Sequence, residues 1–447
     1  MDSKRFLFVV KCKSYDINMR YRTMNSNQKS TKSLYDIFFD VCIIGGGASG
    51  LAAAISVMEK NPTLSVCIIE KKDEIGKKIL ATGNGRCNIT NSSCTELELV
   101  KAFLYNSGIV LEEEEEGRIY PKSGQAASVV ELLKWKAKKL NVAMFTNCHV
   151  FRIMKNEEEG FDVHIDCANE KVFIPCTKVL LSCGGKSGPQ FGTTGDGYGM
   201  VRALGHTVSK IHPVLMPIEC EGIKASLKGI RAKGKVALLK EEQIIAEEFG
   251  EIQFTEDGLS GICMFNLSRY IKLDENSDVT LSGGFRQYSI EIDFLPQMEE
   301  NEVIEFLKER RFFMASMPAE LYLASIVNMR LGEEIMEEVL NNKNCTIGNI
   351  TYEGIEEIAM LLKSSRFVVT GAKGWKEAQC TGGGILLDEI NLETMESKLA
   401  KGLYVAGELL DYDGPCGGFN LHHAWLTGIK AGRSIAKAMA QNKVMGE

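Results

Sequence analysis

Residues 42–50 read CIIGGGASG, an apolar run that ends in three glycines, two small residues and a fourth glycine. Only a strand running through a tight turn into a helix gives each of these glycines a task. In the spacing G-x-G-x-x-G, Gly45 permits the turn, Gly47 lets the backbone approach a pyrophosphate, and Gly50 allows the helix to pack closely on the strand. The anion then meets the positive end of the helix. The flanks agree: FFDVCIIGGG reads as a buried strand, SGLAAAISVMEK as a helix and LSVCIIEKK as a second strand. Short apolar runs alternating with a helical period make a β-α-β unit and imply a parallel sheet. Glu70, 25 residues after Gly45, ends the second strand where a carboxylate can accept both ribose hydroxyls. Gly45, Gly46, Gly47, Ala48, Ser49, Gly50, Glu70 and Lys71 are therefore the expected contacts of a dinucleotide.

The far end of the chain bears on which dinucleotide. A lone nicotinamide domain needs no second glycine-rich strand end, yet from Gly402 the chain runs strand, glycine-rich loop, long helix: GLYVAGELLDYDGPCGGFNLHHAWLTGIKAGRSIAKAMA. LYVAGELLD leading into GPCGGFN resembles the second flavin-binding motif of the glutathione-reductase-like flavoproteins. Glu408 stands where that family usually has Asp, a carboxylate that bonds the ribityl chain. The resemblance implies FAD, with Gly407, Glu408, Asp411, Gly417, Gly418, Phe419, Asn420 and Leu421 beside it. Gly417 and Gly418 would leave amides free, and the helix starting near Phe419 would aim its N-terminus at the flavin N1 and O2 edge. LLSCGGKSGP resembles the T-G-G segment between the two motifs, which adds Cys183, Gly184 and Gly185.

At 447 residues the chain exceeds the size of a single core, so several domains are expected. Between the two glycine motifs its character changes twice. After Gly205, segments such as HTVSKIHPVLMPIEC, GKVALLK, IIAEEFGEIQFTEDG, DVTLSGG and YSIEIDF are strand-like with turns between them. From about Pro296 to Ser364 helical periodicity takes over. The reading is an α/β protein: a Rossmann-like FAD-binding domain (35–205 plus 376–447) interrupted by a β-barrel-like substrate domain (206–295 plus 365–375), which itself carries a helical insertion (296–364). Residues 1–34 read as a loose extension.

A net charge of -7 argues against a nucleic-acid partner. No apolar run approaches roughly 18 residues, so no membrane span is expected. The fourteen cysteines are scattered without C-x-x-C or paired metal spacing, which reads as reduced, mostly buried thiols and no metal site. Lys11 cuts the first apolar stretch short of a signal sequence, and the expected location is cytoplasmic.

A more specific likeness lies in GKKILATGNGRCNITN, residues 76–91. It resembles the signature of a bacterial FAD-dependent flavoprotein family that includes a dehydro-bile-acid reductase and aminoacetone oxidases. GRIYPKSGQAASVVELL (117–133), GGKSGPQFGTTGDGYGMVRALGH (184–206), GLSGICMFNLS (258–268) and MESKLAKGLYVAGELLDYDGPCGGFNL (395–421) support it. Carried over by position, Lys77, Gly83, Gly85, Arg86, Cys87 and Asn88 would line the flavin or its pyrophosphate, with Arg86 supplying fixed positive charge. Cys87 reads as a packed loop residue, since no partner cysteine accompanies it, and Val150 would offer backbone contacts to adenine. The chain departs from the family at His422, His423, Glu256 and Ile262-Cys263, positions that border the substrate side.

The leading expectation is an NAD(P)H-dependent FAD reductase acting on an activated C=C of a small apolar, steroid-like molecule. No second G-x-G-x-x-G is present, so a nicotinamide donor would bind transiently over the flavin. One alternative is an amine oxidase that oxygen reoxidises; another is a flavin-binding redox sensor or RNA-associated factor. No proton donor stands out: His206, His212, His422 and His423 read as structural, and Tyr198 and Glu256 as weaker candidates. Glu112 to Glu116 read as a solvated face.

Overall fold

The computed structural model describes residues 38–157, 160–167, 170–271, 284–340 and 345–445. The expected extension at 1–34 and all but the last residue of DVTLSGG lie outside the described residues. The chain divides into two compact units, 1–212 with 380–447 and 213–379. The first crossing falls a few residues later than the sequence suggests, because His206 is clamped inside the first unit. Its Nδ1 lies 2.9 Å from Glu389 Oε2 and its Nε2 2.8 Å from Ser397 Oγ. At the return crossing, residues 376–379 stay with the second unit, where the Gln379 amide donates to the Leu215 carbonyl.

In the first unit, β1 (Phe39–Ile44) leads through the glycine turn into α1 (Ala48–Lys60) and then β2 (Val66–Ile69). Next come β3 (Ala143–Phe145), β4 (Cys148–Lys155), β5 (Phe161–Cys167) and β6 (Glu170–Leu181). The sheet order is β3-β2-β1-β6-β5-β4, with the short strand Leu403–Val405 also pairing β6. The contacts of β1 with β2 and β6, and of Leu403–Val405 with β6, are parallel, whereas β4, β5 and β6 form an antiparallel meander. All four residues of β2 are buried, as a parallel strand covered on both faces requires. α1 is buried through its first eleven residues because the C-terminal helix Phe419–Met445 lies directly on it. A Cβ at Gly428 would sit 2.3 Å from Ser49 O, and one at Gly432 2.4 Å from Ala53 O. The two helices thus meet backbone to backbone.

One thiol expectation is corrected here. Cys148 and Cys167 stand directly opposite each other on β4 and β5 and are joined as a disulfide. Alternation places them together, which no cysteine spacing motif would reveal.

The second unit is a closed antiparallel barrel in the order Ile218–Cys220, Gly258–Ser260, Gln243–Phe254, Arg231–Lys240, Tyr288–Asp293, Ser365–Ala372. Between its last two strands the chain forms the helices Glu300–Phe313, Met329–Val339 and Tyr352–Lys363. Glu299 and Glu302 make a capping box at the first, and Asn328 and Thr351 cap the others. Lys363 fastens the insertion to the barrel, its ammonium reaching Asp293 Oδ2 (2.6 Å) and the carbonyls of Leu295 (2.9 Å) and Met298 (2.5 Å). Among the described residues no helix is long and apolar enough to cross a membrane.

Candidate cofactor-binding site

Ile44, Leu181 and Val405 are register partners at the ends of three neighbouring parallel strands, so the loops starting at Gly45, Ser182 and Ala406 emerge side by side. In open α/β sheets this carboxyl edge is where ligands bind. The loops are stitched together. Ser182 donates its amide to the Ile44 carbonyl (2.9 Å) and its hydroxyl to the Ile44 and Gly45 carbonyls (3.0 and 3.1 Å), and the Ala406 amide donates to Leu181 O (2.9 Å).

The glycines of the first motif are distinguished by their surroundings. Gly45 has φ 102°, and a Cβ there would lie 2.6 Å from Cys183 Cα. A Cβ on Gly50 would lie 2.0 Å from Gly45 O, and one on Gly46 would meet Ile75. Gly47 faces open space, with nothing within 4 Å of an added Cβ. Behind it α1 begins without a side-chain cap and without an acidic residue in its first turn, so its leading amides are donors in want of an anion. Open space before uncapped amides, with Ala48 and Ser49 buried at the helix start, fits a pyrophosphate. Glu70 is braced beside it by the amides of Gly46 and Lys72, each 2.9 Å from one of its oxygens, which leaves each oxygen a lone pair for a ribose hydroxyl.

Both expected lysines are ion-paired within the protein. Lys71 is held by Asp196 Oδ2 and Thr194 Oγ1, each at 2.5 Å. Lys77 pairs with Asp73, four residues earlier in the loop before the helix. Its neighbour Lys78 carries the inward charge, 2.6 Å from Glu408 Oε2. The other Glu408 oxygen accepts the Thr381 amide at 2.9 Å, and Thr381 Oγ1 accepts the amides of Lys186 and Ser187. Thr381 and Glu408 thereby tie the Cys183-Gly184-Gly185 loop to the second motif; neither Thr381 nor Lys78 stood out in the sequence. Gly407 lies against Ser49, since a Cβ there would sit 2.7 Å from Ser49 Oγ, and its amide donates to Thr427 Oγ1. Asp411 is occupied by the Ser209 hydroxyl at 2.8 Å.

The signature segment 82–91 and the start of the C-terminal helix form the second half of the site. Gly83, Asn84, Gly85 and Cys87 all have left-handed φ, folding the chain into a tight knot. Asn91 Nδ2 donates to the carbonyls of Gly417 (3.1 Å) and Glu116 (3.0 Å), and a Cβ on Gly418 would sit 2.4 Å from Thr90 O. Asn88 Oδ1 is buried without a partner among the described residues, 2.8 Å from that same position. Asn420 closes the loop by exchanging hydrogen bonds with the amide and carbonyl of Gly414, Phe419 packs over Gly414 and Gly417, and Leu421 packs on the core.

The remaining expected groups have these surroundings. Arg86 is ion-paired with Glu114 and lies 4.2 Å from the Tyr120 ring centroid, so its charge is shared and the acidic run is not merely a solvated face. Burial pushes the Cys87 thiol up to about 11 and the Cys183 thiol up to about 12, which makes both packing groups. Val150 is buried in β4, paired with Ile165 of β5. His422 is bonded at both nitrogens, to Thr90 Oγ1 (2.7 Å) and Thr95 O (2.9 Å). His423 stacks on Tyr412 at 4.1 Å, and burial, aided by His422, pulls its pKa down to about 4. Burial also lowers His422, so both imidazoles are neutral at neutral pH. Tyr198 is buried with its hydroxyl toward Glu408 O, and burial raises its phenol. In the second unit Glu256 pairs with Lys228 at the surface, and Cys263 Sγ lies 3.0 Å from Glu251 O.

Comparison with known proteins supplies the family. The model of the HI0933-like protein Rossmann domain matches residues 39–102 and 94–434. The chain is 35% identical over 414 residues to a 3-dehydro-bile acid delta(4,6)-reductase of Clostridium scindens, covering 88% of this chain and 98% of that protein. It is 25% identical over 422 residues to a ribosomal RNA dihydrouridine synthase of Haemophilus influenzae, covering 88% and 98%. Among solved structures, the 3-ketosteroid-delta4-(5alpha)-dehydrogenase of Rhodococcus jostii RHA1 superposes with a TM-score of 0.50 at 14% identity, over 94% of this chain and 100% of that one, a likeness of fold. The chain belongs to the HI0933-like family with its Rossmann domain, and is an FAD-dependent oxidoreductase.

Proposed function

We propose that the protein uses NAD(P)H to reduce a C=C bond conjugated to a carbonyl in a small apolar, steroid-like substrate. The observation that carries this reading is the near-full-length identity to the bile acid reductase. FAD, when bound, supplies a two-electron carrier that accepts a hydride from the donor and passes it to the substrate. The residues proposed to hold it are the loop Gly45–Gly50 with Glu70 for the adenosine and pyrophosphate, and the Gly417-Gly418 helix start for the flavin edge. Lys78, anchored by Glu408, adds positive charge between them. Free amides at the C-terminal helix start would stabilise negative charge developing at the flavin edge. The disulfide and the buried thiols are proposed to take no part in electron transfer.

A second reading rests on the ribosomal RNA dihydrouridine synthase, since reducing uridine also saturates a C=C beside a carbonyl. The net charge of -7 favours the small-molecule substrate. Anaerobic titration with NADH and NADPH, then with a steroid enone, with RNA or with air, tests the proposal. Bleaching by a nicotinamide and recolouring by the enone supports it. Recolouring only by air favours an amine oxidase, and a salt-sensitive RNA complex with recolouring favours the RNA reading.

A further inference from the structure

Reducing an enone needs a proton as well as a hydride, and the groups gathered at the candidate site are mostly committed. His422 is bonded at both nitrogens, Glu70 and Glu408 brace backbone and lysine, and Asp411 holds Ser209; His423 Nε2 has no partner among the described residues, but burial keeps that imidazole from carrying an extra proton at neutral pH. Tyr412 stacks on His423 with its hydroxyl against Gly414, where a Cβ would lie 2.9 Å away.

Tyr120 is different. It lies on the short strand Arg118–Pro121, which pairs with Thr90–Asn91, the pair whose carbonyl and side chain seat Gly417 and Gly418. The residue is 9% exposed, and its ring edge lies under the signature loop: a Cβ on Gly83 would lie 3.5 Å from Tyr120 Cε1. The Arg86 guanidinium covers the ring face at 4.2 Å and is itself fixed by Glu114. Among the described residues the hydroxyl makes no hydrogen bond, and it is not one of their fully buried unpartnered groups, so it stays open to solvent or ligand.

We propose that Tyr120 is the proton donor of the reduction, placed by the signature loop and assisted by Arg86. The inference rests on the functional reading above. The π bond of the substrate breaks; the carbon remote from the carbonyl takes the hydride of the reduced flavin, supplied in turn by the nicotinamide nucleotide. The carbon next to the carbonyl takes the phenolic proton, and the phenolate left behind is reprotonated by water. Burial raises the phenol above its ordinary value, opposed by Arg118 and Arg86 and reinforced by Glu114 and Cys416. Tyr120 is therefore fully protonated at neutral pH, and Arg86 over its ring stabilises the transient phenolate.

The test is stopped-flow separation of the two half-reactions in holoenzyme carrying Tyr120→Phe. Loss of a general acid slows proton-coupled steps by roughly 100-fold or more. FAD content, thermal stability and the rate of bleaching by NAD(P)H should match wild type, while recolouring by the enone should slow by at least about 100-fold. Spectrophotometric titration of the phenols gives a readout apart from turnover: Tyr120→Phe should remove one late-ionising phenol, and Arg86→Gln should push that same phenol higher. Recolouring within about threefold of wild type, or an unchanged phenol titration, overturns the role of Tyr120. A wild-type flavin that bleaches but is recoloured by no enone overturns the functional reading, and this role with it.

Discussion

Gly50 and Gly47 sit three residues apart in one motif, yet the structure assigns them opposite tasks, and alanine at each separates folding from cofactor binding. A methyl on Gly50 would approach Gly45 O to 2.0 Å and Ser182 Oγ to 2.9 Å, the first at least 1 Å closer than real Cβ atoms come. α1 must then back away from β1 by about that distance. It cannot do so freely, because its other face is locked onto the C-terminal helix through Gly428 and Gly432. Overpacking of this kind costs about 1–3 kcal/mol, occasionally more. If the strain falls on the loop, FAD affinity drops by about 5- to 150-fold; if on the helix, the melting temperature falls. Gly47 has φ -80°, which any residue adopts, and its methyl would meet no protein atom. Gly47→Ala should therefore leave the melting temperature of the flavin-free protein unchanged while lowering FAD affinity at least tenfold, because the methyl occupies the space left for the pyrophosphate. Melting curves of stripped protein and fluorescence titration with FAD measure the two quantities. A Gly50→Ala protein that melts and binds like wild type, or a Gly47→Ala protein that binds FAD normally, refutes the reasoning.

Glu408→Gln should weaken FAD binding with little effect on stability, because it uncouples a Lys78 pair that is partly exposed and contributes about 1 kcal/mol at most; FAD titration at two salt concentrations checks it. His423 has a folded pKa of about 4 against about 6.5 unfolded, so the unfolded chain binds more protons between those values and stability falls as pH drops through that window, levelling off below about 4. The loss between pH 7 and pH 5 is about 2 kcal/mol, and His423→Gln should remove that part of the slope in denaturant melts at the two pH values. Lys363→Met strands three acceptors at the barrel junction and should destabilise the second unit by about 2–3 kcal/mol, seen as an earlier unfolding phase.

The sequence was most informative where a local pattern carries its own geometry. The VCII run at residues 41–44 is buried at all four positions as a strand covered on both faces, and the G-x-G-x-x-G after it turns into a helix. The barrel was readable from its alternating strands and turns. What stayed hidden depends on side chains meeting from distant segments. Lys77 and Lys78 are indistinguishable in sequence, and only the rotation of one short helix decides which faces Glu408. Thr381 matters because three loops converge on it, and Cys148 and Cys167 meet because β4 and β5 pair in one register. The acidity of residues 112–116 likewise gave no hint that Glu114 folds back onto Arg86.

The central claim is that loops from the two ends of the chain, side by side on the carboxyl edge of one parallel sheet, hold a single FAD. The visible spectrum of the purified protein, taken before and after incubation with excess FAD and gel filtration, tests it most directly. One bound FAD per chain, lost in Gly47→Ala without loss of fold, is the predicted result. A well-folded protein that stays colourless after incubation would contradict the account.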